Sequence, residues 1–229
     1  MFSEFIKSTI LSKVVVAVTG AMITGFLVAH IAGNLLMYIG AEAFNSYAHN
    51  LSNMPVLVWG NRIALLIALI LHTFATIRLV MYNKQSKPVG YKSPTYTKST
   101  FSSRNMIFMG FVLLFFAIYH ILHFTAGVID PATFKSNLEF TLANGEKAHD
   151  AYRMAILGFQ NPLIAVFYVI AMISLGLHLN HGVSSLFQTL GIYGDKFTKN
   201  AKKIGSAFAI ILVALFSSIP IAVMLKILK

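Results

Sequence analysis

An all-α integral membrane protein with five transmembrane helices is the fold class this sequence predicts, and three observations predict it. Hydrophobic residues make up 57% of the 229 residues and charged ones only 11%, against roughly 25% charged in a soluble domain. The mean hydropathy is +0.73. The apolar residues are gathered into runs near the ~20 residues that a helix needs to cross a bilayer. A chain so poor in charge exposes much of its surface to something other than water.

The first span is expected from about Lys13 to Tyr38, the second from Gly60 to Met81 and the third from Asn105 to Ile129. The fourth is expected from Pro162 to Leu186 and the fifth from Gly205 to Leu225, all within a single membrane domain, 1–229. The opening MFSEFIKSTILSKVVV is short and amphipathic and runs into the first span without a small-residue cleavage site. It reads as an uncleaved start.

Topology follows from the basic residues. One side receives Lys7 and Lys13, then Arg78, Lys84, Lys87, Lys92, Lys98 and Arg104, then Lys196, Lys199, Lys202 and Lys203. Only Glu4 and Asp195 oppose them there. The other side holds Arg62, Lys135, Lys147, Arg153, Lys226 and Lys229, nearly balanced by Glu42, Asp130, Glu139, Glu146 and Asp150. Basic loops stay in the cytoplasm, so the expectation is a multi-pass protein of the cytoplasmic (inner) membrane with its N-terminus inside. The net charge of +11 is then topological, with anionic lipid or an acidic partner as its neighbours. Nucleic acid is not an expected partner.

There are no cysteines, which excludes disulfides, thiolate metal sites and cysteine-held iron–sulfur clusters in this chain. Chemistry falls to the histidines. Six of the eight lie inside predicted spans, where an ionisable side chain is costly and needs a reason. A helix rises ~1.5 Å per residue, so position converts to depth. On that scale His30 and His120 lie in the outer half, on helices that run outward. His72 and His178 lie nearer the cytoplasm, on helices that run inward. Four helices thus offer one central histidine each, in two pairs at two depths.

Two haem groups require that arrangement, because imidazoles from facing helices can fill both axial positions of an iron. The expected architecture is therefore a di-haem four-helix core plus a fifth helix. Small residues beside the ligands would admit flat macrocycles: Gly20, Gly25 and Gly33 around His30, Gly110 and Gly127 flanking His120, Gly176 and Gly182 around His178. Arg78 and Arg62 are candidate propionate partners on the inner and outer sides, with snorkelling at helix ends as the alternative. His123 and His181 each lie three residues from a better candidate and read as partners of a propionate, a quinone or a neighbouring helix. His49 and His149 read as solvated.

The residues resemble a known family, the cytochrome b558-type membrane anchor of succinate dehydrogenases and fumarate reductases, in its di-haem single-chain form. TGFLVAHIAGNLLMY resembles the family's first ligand helix and GAEAFNSYAHNL its outer connection. SRNM followed by YHILHF resembles the third helix, and LGLHLNHGVSSLFQTLGIYGDKFTKNAKKIG the fourth with its cytoplasmic exit. The resemblance covers nearly the whole chain and implies His30 and His120 on an outer haem b, His72 and His178 on an inner one. The segment from Asp130 to Asn161 departs from it, being longer than in compact relatives.

The resemblance further implies two partners, a flavoprotein subunit that interconverts succinate and fumarate and an iron–sulfur subunit that passes electrons to this anchor. The inner haem would accept first, the outer haem second, and a membrane quinone, menaquinone or ubiquinone, would end the path. This chain would not carry the dicarboxylate active site. The heterotrimer can assemble further. Glu42, Asn45, Tyr47 and His49 are the candidate quinone site, with an interfacial connection as the alternative; Ser12, Lys13 and Gln188 form a second candidate near the inner haem. Two rival functions stand beside this one. One is the cytochrome b anchor of a membrane hydrogenase or formate dehydrogenase. The other is a histidine-based proton or metal transporter, which would need an aqueous cavity or broken helices at midplane, where Pro220 is the strong internal break candidate.

Overall fold

The computed structural model describes residues 8–86, 89, 99–131, 134, 138–192 and 194–229. Glu4, Lys7, Lys87, Lys92, Lys98 and Lys135, all used in the charge reading, lie outside the described residues. The protein is all-α in its membrane part, with five helices long and apolar enough to cross a bilayer. They are α1 (Thr9–Asn34), α3 (Pro55–Gln85), α5 (Met106–His120), α7 (Pro162–Thr189) and α8 (Asp195–Met224). Between them lie α2 (Ala41–Ser52), α4 (Phe101–Arg104), a hairpin of β1 (Glu139–Thr141) and β2 (Lys147–His149), and α6 (Ala151–Gln160).

Against the predicted spans, α3 is longer at both ends, α1 and α8 begin earlier and α7 ends later. At 31 residues, α3 is roughly 45 Å long, well beyond a hydrocarbon core of about 30 Å. The apolar window marks where lipid begins, whereas the helix stops only where its end groups are satisfied. Caps set those ends. Ser8 accepts the Leu11 N–H at the start of α1, Pro55 occupies the first turn of α3, and Asn161 accepts the Leu163 N–H at the start of α7, again ahead of a proline. The third span is shorter than expected. Its last turn, Ile121–Thr125, widens so that the Ala126 N–H reaches the Ile121 carbonyl, and Gly127 at φ +61° turns the chain away.

The scaffold is the pair α7 and α8, 44% and 39% buried over their apolar windows against 11–17% for the other three spans. Close approach explains it: a Cβ on Gly176 would sit 2.5 Å from the Val213 side chain, and one on Gly205 would sit 3.2 Å from Val183. Small residues let membrane helices meet at dispersion range. Along the other side, α1 packs against α3, and α5 leans on α7 while barely touching α3. Helix α8 continues through buried Pro220 to Met224, so no break opens there.

One end of the bundle carries a polar cap where the sequence suggested a connection. Residues 41–52 form a helix, and the long 130–161 segment contains the hairpin and α6, a small departure from all-α. Asn45, fully buried, fastens these parts: its Nδ2 donates to Asp150 Oδ1 at 2.9 Å, and its Oδ1 accepts the Tyr152 N–H at 2.9 Å. Asp150 Oδ1 also accepts the Arg153 N–H and so caps α6.

Candidate functional site

A cavity of about 2090 Å³ lies among α1, α3, α5, α7 and α8. A small-molecule pocket usually holds about 300–1,000 Å³, so this one has room for more than one such group. Its wall is mostly aliphatic and aromatic, and His30, His72, His120 and His178 all contribute to it. The histidines meet in twos. The rings of His30 and His120 are 5.9 Å apart, centroid to centroid, and those of His72 and His178 are 6.3 Å apart. A metal held about 2 Å from one nitrogen of each of two imidazoles puts their centroids roughly 6 Å apart. Among the described residues no three His, Asp or Glu side chains gather as a chelate. Two facing imidazoles suit a metal that brings its other ligands with it, as the iron of a macrocycle does.

The four rings differ in what orients them. His72 Nδ1 lies 3.1 Å from the Val16 carbonyl and 3.1 Å from Thr19 Oγ1. The threonine proton is already committed to the Val15 carbonyl at 2.6 Å, so His72 donates from Nδ1 and keeps Nε2 for the cavity. His178 Nδ1 is buried without a well-formed hydrogen bond, with the Met106 carbonyl beside it. His120 Nδ1 lies 3.3 Å from the Tyr168 hydroxyl. His30 differs: its Nε2 meets the Asn34 amide, one turn away, at a long 3.3 Å. That contact must give way for Nε2 to take a metal. The rings of His30 and His120 also have aromatic shields one turn earlier, Phe26 stacked on His30 and Phe116 on His120; Ala68 and Ser174 stand at those positions for His72 and His178.

The glycines do not fall as the spacing suggested. Gly20 packs on His72 rather than on His30: its Cβ would come within 3.2 Å of His72 Cε1. Gly33 accommodates the Tyr47 ring, Gly127 the Phe134 ring and Gly176 the Val213 side chain. Gly110 faces His178 across helices, where a Cβ would lie 3.6 Å away. Gly25 and Gly182 have open space beside them, and of the two only Gly182 lines the cavity. Sequence spacing reports neighbours on one helix, whereas these contacts are between helices.

Arg62 lines the cavity and lies 5.1 Å over the Trp59 ring. Arg78 stands off the cavity wall and donates to Ser12 Oγ at 3.1 Å, on buried Ser12. Lys13 and Gln188 line the cavity; Ser12 does not. The four outer candidates also separate. Tyr47 lines the cavity, while Glu42, Asn45 and His49 do not. Glu42 Oε1 accepts the Ala143 N–H at 2.9 Å, and His49 Nε2 lies 3.4 Å from Glu146 Oε2. These three hold the cap together. His181 lines the cavity, whereas His123 is buried behind it against Tyr168. His149 is exposed on β2, paired with Glu139.

Among the residues that the sequence does not single out, Thr19, Tyr168 and Phe124 touch the histidines, as do the ring neighbours named above. A hydroxyl in the middle of an apolar run is the signal that could have found the first two. Compared with known proteins, the chain matches no family model, no curated sequence and no solved structure.

Proposed function

We propose that this chain is a di-haem cytochrome b, the membrane anchor that passes electrons between the iron–sulfur subunit of a succinate dehydrogenase/fumarate reductase and a membrane quinone. The observation that carries the haem reading is the two histidine pairs, each drawn from facing helices and each opening on one apolar cavity. His30 and His120 would hold one haem b, His72 and His178 the other. Haem b held by two imidazoles supplies one-electron transfer with no position left open for oxygen. The protein's own part is to orient the rings, through Val16 and Thr19 at His72 and Tyr168 at His120, and to exclude water with the apolar wall. Arg62 would partner a propionate at the cavity edge; Arg78 would do so only by leaving Ser12. The succinate-oxidising complex, the N-in orientation and the cytoplasmic membrane rest on the family resemblance and the basic loops.

Two b-type haems per chain, both low-spin, are expected from pyridine haemochrome and reduced-minus-oxidised spectra of the purified chain. A chain without haem, from cells able to insert it, would sink this reading and favour a histidine-based transporter. Nickel or molybdenum in the co-purified complex would favour the hydrogenase or formate dehydrogenase anchor.

Glu42 permits a separate test of the quinone site. In Glu42→Gln the amide oxygen still accepts the Ala143 N–H, so the cap keeps its fastening. The variant is expected to leave quinone turnover and both haem spectra unchanged, because Glu42 stands off the cavity and serves the cap. A severalfold loss of turnover would return it to the quinone site.

A further inference from the structure

The Tyr168 hydroxyl touches two histidines at once. It lies 3.3 Å from His120 Nδ1 and 3.0 Å from His123 Nδ1. Tyr168 is 5% exposed and His123 3%, and the rings of Phe116, Tyr119, Phe124 and Phe159 close around them. The widened turn Ile121–Thr125 carries His123; such turns recur inside helices at functional sites.

We propose that Tyr168 is a positioning residue for the outer histidine pair: it receives the His120 Nδ1 proton and passes its own hydrogen bond to His123. The inference rests on the haem reading above. One hydroxyl has one proton, and in this buried place that proton needs an acceptor, so the chain of three can run in only two directions that satisfy it. If His120 donates from Nδ1, its Nε2 lone pair is free for the cavity. Tyr168 then donates to His123 Nδ1, and the His123 proton sits on Nε2, a buried atom without a hydrogen-bond partner. In the reverse direction Tyr168 donates to His120, whose own proton moves to Nε2 and blocks that nitrogen. A metal on His120 selects the first direction, and His123 is what allows it, by accepting the tyrosine proton.

An acceptor on the outer nitrogen of a ligating imidazole raises the ligand's basicity and so favours the oxidised iron. The inner pair has no tyrosine; His72 relies on Val16 and Thr19 instead. Tyr168 should therefore depress one reduction potential out of two.

The test is a redox titration of the purified full-length chain followed by optical spectra and by the low-spin electron paramagnetic signals. Tyr168→Phe is expected to retain two haems and to raise one midpoint, shifting that reduction equilibrium by up to about tenfold, which is about 59 mV for one electron. The other midpoint should stay in place. His123→Leu should shift the same midpoint in the same direction, and His123→Gln, whose amide oxygen can accept from Tyr168, should restore it. Unmoved midpoints in Tyr168→Phe, with two haems in the parent chain, overturn the inference and leave the haem reading intact. Should Tyr168→Phe lose a haem outright, the His123 variants decide: a shift in leucine alone upholds the chain of three, and identical behaviour of leucine and glutamine overturns it. A parent chain without haem removes the functional reading and this inference together.

Discussion

Replacing His178 with alanine is expected to halve the haem b content, from two per chain to one. The His178 ring lies 6.3 Å from His72, and among the described residues no other histidine is paired with His72. Truncating one member leaves the opposite imidazole as a single axial ligand in an apolar site, too little to retain a low-spin, bis-imidazole centre. His120→Ala should remove the other haem by the same logic, since its partner is His30 at 5.9 Å. The two variants should leave different remnants, each with one midpoint potential of the parent. His181 supplies the control. It lines the cavity, but no ring contact joins it to either pair, so His181→Ala should retain both haems. Haemochrome spectra against protein concentration measure all three. Two haems surviving in His178→Ala would dissolve the pair His72 and His178 as a site.

Asn45→Asp is expected to open the polar cap while leaving the bundle folded. Asn45 is fully buried, and its amide nitrogen donates to an Asp150 oxygen 2.9 Å away. The substitution keeps the acceptor for the Tyr152 N–H but sets two carboxylates against each other. A buried acidic group that loses its donor costs about 3 kcal/mol, which is roughly a hundredfold in the population of the opened cap. Amide exchange in α6 and protease cleavage near the hairpin should both accelerate by about that factor. Protection in the middle of α7 should not change, because α8 holds it independently. Equal loosening of α7 would show that cap and bundle unfold as one unit.

These two outcomes trace to different levels of the chain. The histidine pairs are legible in the amino-acid sequence. Rise per residue is a local property of the helix, so the depths of His30, His120, His72 and His178 follow from position once the direction of each span is known. The role of Asn45 is not legible there. In GAEAFNSYAHNL it reads as one polar residue among several in a connection, and its partners Asp150 and Tyr152 are about a hundred residues away along the chain. Glu42 and His49 read as quinone residues for the same reason: their type is visible in the sequence and their commitments to Ala143 and Glu146 are not. Of the four outer candidates only Tyr47, packed against Gly33, reaches the cavity.

The glycines show where the boundary falls. Their positions along α1 and α7 suggest service to the histidine on the same helix, yet Gly20 serves His72 on α3 and Gly176 serves Val213 on α8. Tyr168 is hidden likewise: nothing near it along the chain announces that two histidines from the α5 segment meet its hydroxyl. By itself the sequence determined that five helices are long and apolar enough to cross a membrane, and which histidines share a level along them, because hydropathy sums along the chain and helical rise is uniform. The rotation of each helix about its axis, and so which glycine, hydroxyl or ring faces which histidine, was decided only by tertiary structure, since azimuth depends on the close packing of side chains from every neighbouring helix at once.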